Sequence, residues 1–182
     1  MFEIGVGDYQ LRVHRGPLPG MYGEYRRHAA LAEEFALDRP DGDACLVAVA
    51  AGHDWPVLVV AQRFEPCGGG FDPGVLLVPE TGVLFVGAGT RLLAYALDGP
   101  RRLWEDAADA GFWGWARHGD VVLMSAELEL AAWDVRGRKL WTTFVEPPWA
   151  YRVEDDRVRL DVMGRLSSFP LAAGPGPAGA AP

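Results

Sequence analysis

The chain is short of nearly everything that carries chemistry. Its two cysteines, Cys45 and Cys67, are too few for a disulfide framework and too far apart for a Cys-x-x-Cys redox or zinc motif, a pattern that points to a reducing compartment. Four histidines, at positions 14, 28, 53 and 118, are scattered without the His-x-x-x-His spacing of a metal site, so no metal is expected. The serines are Ser125, Ser167 and Ser168, and none sits in a Gly-x-Ser-x-Gly elbow. Positive charge is scarce too: 17 Lys and Arg stand against 25 Asp and Glu, a net charge of −8. A surface of that sign repels phosphate backbones on average, which excludes a broad footprint for nucleic acid. No apolar run approaches the roughly 20 residues of a membrane span. The opening MFEIGVGDYQLRV has no basic n-region, apolar h-region or small-residue cleavage site. A cytoplasmic protein with no membrane partner is expected.

What is present is apolar and aromatic. Hydrophobic residues make up 49% and aromatics 11% of the 182 residues, enough for one folded domain, expected over residues 1–171. Aromatic and β-branched residues suit the pleated surface of a sheet better than a helix. The tail at 172–182 contains only Ala, Gly and Pro and is expected to be disordered. Three glycines at 68–70 invite a phosphate-loop reading, but neither Gly-x-x-x-x-Gly-Lys-[Ser/Thr] nor Gly-x-Gly-x-x-Gly is present, so a plain glycine-rich connection is expected and no cofactor with it.

Residues 2–6 and 9–14 flank Gly7, a hairpin signal. The run EYRRHAALAEEFAL predicts one short helix near residues 23–36, stopped by Asp38-Arg-Pro40. Residues 44–51 and 57–64 are continuous apolar runs that predict a buried hairpin. From Gly82 onward the chain repeats itself. With one gap at Pro100, Val83 falls on Val121, Leu92 on Leu130, Ala94 on Ala132, Tyr95 on Trp133, Gly99 on Gly137 and Trp104 on Trp141. A shortened third copy reads DRVRLDVMGRLSSF. The units, 82–118, 119–155 and 156–170, each hold short strands that cannot bury their own faces and so need neighbours. The predicted fold class is all-β, built of repeated small antiparallel sheets, with a twisted β-sandwich as the alternative.

The segment from Ala132 through Asp134 and Gly137 to Trp141 resembles the repeat of WD40-like and quinoprotein-type (PQQ-like) β-propellers. In those repeats a strand ends in an Ala-x-Asp pattern, a glycine turns the chain, and a Trp on the next strand docks between blades. The upstream copy, Ala94 to Asp98, Gly99 and Trp104, is similar with the Asp displaced by two positions; the third, ending Ser168-Phe169-Pro170, has neither glycine nor Trp. The resemblance covers about half the chain and implies a small or incomplete propeller-like stack. It does not bring a quinone cofactor with it.

Three functional readings follow. The first is a non-catalytic protein-binding module, in its sharpest form an immunity- or antitoxin-type protein masking a basic partner, with Glu105, Asp106 and Asp109 as acidic contacts. Those carboxylates, with Glu127 and Glu129, read first as solvated faces. The second is a carbohydrate or small-molecule binder using Trp113, Trp115, Trp149 and Tyr151, which recur at matching places in successive units and so read first as packing between repeats. The third is a hydrolase working from the loops over residues 53–72, with His53 and Cys67 as the reactive pair.

Overall fold

The computed structural model describes residues 2–36, 42–52, 55–65 and 72–176. They form four small sheets in sequence order. The first is built from β1 (Phe2–Val6), β2 (Tyr9–Arg15), β3 (Leu31–Phe35), β4 (Asp43–Ala51) and β5 (Leu58–Phe64), in the order β1-β2-β4-β5-β3. The second is the meander β6 (Gly74–Val78), β7 (Val83–Ala88), β8 (Arg91–Ala96) and β9 (Arg101–Ala107), and the third repeats it as β10 (Phe112–His118), β11 (Val121–Ala126), β12 (Glu129–Asp134) and β13 (Lys139–Phe144). The fourth has three strands, β14 (Trp149–Glu154), β15 (Arg157–Val162) and β16 (Arg165–Pro170). Four separate sheets, antiparallel except for one parallel pair in the first and none closed on itself, form the propeller-like stack that the repeat predicts.

Each boundary between sheets is a hydrophobic core made of alternate residues from facing strands, as the period of two requires. Leu11, Val47, Val49, Leu58 and Val60 meet Leu84, Val86, Leu93 and Tyr95 between the first and second sheets. Phe85, Leu92 and Ala94 meet Phe112, Val122, Met124 and Trp133 between the second and third. Leu123, Leu130, Ala132 and Trp141 meet Val158, Leu160 and Phe169 between the third and fourth. The far face of the first sheet, Leu46, Ala48, Val59 and Ala61, is covered by Leu18, Tyr22, Tyr25 and Ala29.

The repeat is structural down to its irregularities. Ala94 pairs with Trp104 and Ala132 with Trp141, and in both sheets the register slips by one residue immediately afterwards, between Ala94 and Tyr95 and between Ala132 and Trp133. The bulge tilts the last strand so that its Trp swings onto the next sheet. Trp104 stacks on Trp133 at 5.3 Å and its indole N–H donates to the Gly137 carbonyl. Trp141 meets Phe169 edge-on at 5.4 Å and donates to the Leu171 carbonyl over 2.7 Å.

Two departures from expectation have clear causes. The helix near residues 23–36 is present only as α1 (Tyr22–His28); Leu31–Phe35 is instead a strand, parallel to β5 from Leu31 opposite Leu58 to Phe35 opposite Gln62. Tertiary partners override local helix propensity here: β5 offers a free edge, Tyr95 donates a 2.7 Å hydrogen bond to Glu33, and Arg91 and Arg102 lie over the Phe35 ring. The second concerns the chain after Leu171. Residues 171–174 turn back onto the third sheet, with the Gly174 amide donating to the Pro170 carbonyl, rather than beginning a disordered tail at 172; residues 177–182 lie outside the described part. Gly174, at φ +75°, lies flat on Trp141, where an added Cβ would come within 2.4 Å of the ring, and Gly137, at φ +86°, lies likewise against Leu103 and Trp104. The third unit therefore has its glycine after all, one residue later than the sequence pattern suggests.

Gly174→Ala is expected to cost about 2 kcal/mol, since both φ and space exclude a side chain. Gly176→Ala, where nothing lies within 4 Å, should change stability by less than about 0.5 kcal/mol. Denaturant melts of the two variants check this.

Candidate functional site

The aromatic set splits in two. Phe112 and Gly114 flank a register shift on β10, and Trp113 and Trp115 leave the strand towards different neighbours. Trp115 points to the second sheet, within 5.3 Å of Phe85, 5.4 Å of Phe112 and 5.6 Å of Trp133, and its buried indole N–H has no hydrogen-bond partner. It packs, partly buried, against the core between the second and third sheets. Trp113 points to the fourth sheet and stacks on Trp149 at 5.0 Å with only 9° between the planes; Trp149 stacks in turn on Tyr151 at 6.2 Å and 22°. These three half-buried rings form a ladder across β10 and β14, the first strands of the third and fourth sheets. Trp149 donates to the Glu127 carbonyl over 3.0 Å, and burial holds the Tyr151 hydroxyl above the ordinary tyrosine range, an effect its hydrogen bond to Ser125 partly offsets.

Three connections converge beside the ladder. The Glu127 amide donates to the Gly111 carbonyl, the Leu128 amide to Asp109, and the Val145 amide to Leu128. This draws together residues 109–111, 127–128 and 145–148 around the Trp149 end of β14. Asp109, Glu127 and Glu146 are exposed there, and among the described residues their carboxylates take no ion pair and no hydrogen bond.

The acidic residues that the sequence groups together do not behave as a group. Glu105 accepts from Arg91 over 3.1 Å and from Arg102 over 2.8 Å, while Asp106 accepts from Lys139 over 2.8 Å. Both are neutralised within the chain, and of the three only Asp109 keeps a free carboxylate. Glu129 is not on a solvated face at all. It is 6% exposed, accepting from the Thr142 hydroxyl over 2.6 Å and from the Asp109 amide over 3.0 Å. Lys139, the chain's one lysine, lies 5.1 Å over the Trp133 ring, between Asp106 and, at 3.9 Å, Glu129. Sequence reasoning passed over this cage. The signal was a lone carboxylate in the apolar run Leu128-Glu-Leu-Ala-Ala-Trp, where a buried charge needs a cation and hydrogen bonds.

His53 and Cys67, proposed as a hydrolytic pair, lie outside the described residues; Asp72, at the end of the same stretch, is ion-paired with Arg15. Cys45 is buried, and burial pushes its thiol up to about 12, far from the range of a nucleophile. Among the described residues no three His, Cys, Asp or Glu side chains are gathered as metal ligands, and no helix is long and apolar enough to cross a membrane.

No family model and no curated protein matches the chain. Among solved structures it is similar to Sqt1 of Saccharomyces cerevisiae, at 11% identity over 66% of this chain and 38% of that one, with a TM-score of 0.41. A second likeness is to Hsv2 of Kluyveromyces lactis, at 11% identity over 54% of this chain and 32% of that one, with a TM-score of 0.31. Sqt1 and Hsv2 are WD40 β-propeller proteins, and the chain spans about a third of the length of each. A computationally designed protein, Ika4, is matched over 76% of this chain and 89% of its own at 14% identity, with a TM-score of 0.39. Likenesses this distant leave function to be read from the chain's own surfaces.

Trp115→Ala should cost about 3–5 kcal/mol, the usual price of an aromatic deleted from a core. Glu105→Gln, at a half-exposed ion pair, should cost less than about 1 kcal/mol. Thermal melts of both variants distinguish the core position from the surface one.

Proposed function

We propose that the chain is a non-catalytic protein-binding module, and that its contact face is the end of the third and fourth sheets where the Trp113, Trp149 and Tyr151 ladder meets Asp109, Glu127 and Glu146. The observation that carries this reading is the convergence of three connections on one half-buried aromatic surface, leaving three exposed carboxylates without an internal cation. Rigid aromatic rings give contact area at little entropic cost, and like-signed carboxylates around them select the partner's charge. The partner is therefore basic. The chain's own Lys139 supports the chemistry: an ammonium over an indole face, fixed by two carboxylates, is held between the second and third sheets. A small acidic protein that masks a basic one, of the immunity or antitoxin type, is the biological form that suits this surface and the net charge of −8.

A carbohydrate platform is less well supported, because Trp149 spends its ring contacts on Trp113 and Tyr151.

The test is affinity capture from the source cells with wild type and with the triple variant Asp109→Asn, Glu127→Gln, Glu146→Gln. Wild type should retain a basic protein whose binding weakens at least tenfold between about 50 and 300 mM salt, and the triple variant should lose it while Glu105→Gln keeps it. Equal retention by the triple variant would reject the proposed face.

A further inference from the structure

The second and third sheets each end in a fourth strand, β9 and β13, that carries the docking Trp; among the described residues the fourth sheet has three strands. Its outermost strand β16 nevertheless keeps the surface that a fourth strand would use. In the repeat, Leu166 stands where Leu92 and Leu130 stand, and Ser168 where Ala94 and Ala132 stand. Leu92 and Leu130 are fully buried by the next sheet, whereas Leu166 is 80% exposed. Ala94 and Ala132 are the small residues opposite Trp104 and Trp141; Ser168, equally small, has no aromatic ring opposite it among the described residues. Around it lies an open concavity of about 530 Å³ bounded by Ala150, Arg152, Arg159, Asp161, Leu166 and Ser168.

The backbone agrees. The Leu171 amide donates to the Asp156 carbonyl across the β15/β16 pair. Because bonded and non-bonded pairs alternate in an antiparallel ladder, the amides and carbonyls of Ser167 and Phe169 turn towards β15, and those of Leu166 and Ser168 turn to the free edge. One guard sits there. Arg157 donates to the Ser168 hydroxyl and carbonyl, each over 3.1 Å, as charged side chains often do at open sheet edges.

We infer that β16 accepts, as an added antiparallel strand, an extended segment of a partner protein bearing an aromatic side chain that lies opposite Ser168. Main-chain hydrogen bonds to Leu166 and Ser168 supply the pairing, and the aromatic ring, over the guanidinium planes of Arg152 and Arg159 and against Leu166, supplies the selectivity. Arg157 must swing aside for the strand to seat. Tyr151 borders both this concavity and the Trp149 face, but the pairing edge, at Leu166 and Ser168 of β16, takes no part in that face, and either site can fail without the other.

A probe is available in the chain's own β13: the synthetic peptide GRKLWTTF, residues 137–144, with its Trp→Ala counterpart as control. Amide exchange is followed in the full chain at about 1 mM peptide, where a complex of that Kd is half formed. The Trp peptide should slow exchange at Leu166 and Ser168 about twofold or more, and the Ala peptide should not. Leu166→Asp should abolish the effect. Arg157→Ala, an exposed change that leaves the core intact, should tighten binding severalfold by opening the edge. The inference is overturned by unchanged exchange at both amides, by equal protection from the Ala peptide, by Arg157→Ala weakening the complex, or by a wild-type dimer that already protects β16 without peptide.

Discussion

A four-stranded sheet of six-residue strands has two faces and can bury neither alone, and the tryptophan at the end of each unit resolves this. Trp104 crosses from the second sheet to Trp133 of the third, and Trp141 crosses from the third to Phe169 of the fourth. Each finds a backbone carbonyl for its N–H on the far side, Gly137 in one case and Leu171 in the other. A buried indole removes roughly 150–250 Å² from water, on the order of 4 kcal/mol at about 25 cal/mol per Å². The small residue opposite it, the bulge that tilts the strand and the glycine beneath the ring are all conditions for that docking. Their recurrence at two boundaries makes the repeat a physical one and not only a similarity of letters.

Charge plays a second, related part. At the outer margin of the first boundary, Arg91 and Arg102 lie over Phe35 while Glu33 and Glu105 neutralise them; at the next, Lys139 lies over Trp133 beside Asp106. Cations on aromatic faces, each with a carboxylate partner, thus seal the edges of the stack. They also consume much of the acidity that the composition advertises. Of the carboxylates left over, Asp109, Glu127 and Glu146 lie together where the backbone of three connections meets the aromatic ladder, while Asp8, Asp98, Asp120, Asp155 and Asp156 are exposed elsewhere, which is why net charge alone pointed to a partner but not to the place where it would dock.

Most of the fold was legible because its causes are local and repeated. Short apolar runs punctuated by glycine turns mark the strands, and the phase of Ala132, Gly137 and Trp141 against Ala94, Gly99 and Trp104 marks the unit. What was not legible depended on contacts far apart in sequence. Leu31–Phe35 reads as helix until β5 offers it an edge, and Ala172 to Gly174 read as tail until Trp141 offers them a surface. The candidate site was half visible. Recurrence identified the positions of Trp113, Trp115, Trp149 and Tyr151 but could not say that the first and second would face opposite ways across a register shift. Likewise Glu105, Asp106 and Asp109 are adjacent in sequence, and only the cross-strand partners of the first two, Arg91, Arg102 and Lys139, show which carboxylate is spare.

The stack holds together because the indole of one sheet and the ring of the next are energetically coupled, not merely adjacent. A double-mutant cycle on Trp104→Leu and Trp133→Leu, which removes the ring at each position, read by urea denaturation, measures that coupling directly. About 0.5–1.5 kcal/mol of favourable interaction between the two rings is expected; a coupling indistinguishable from zero, with both single variants folded, would show that the rings are neighbours only.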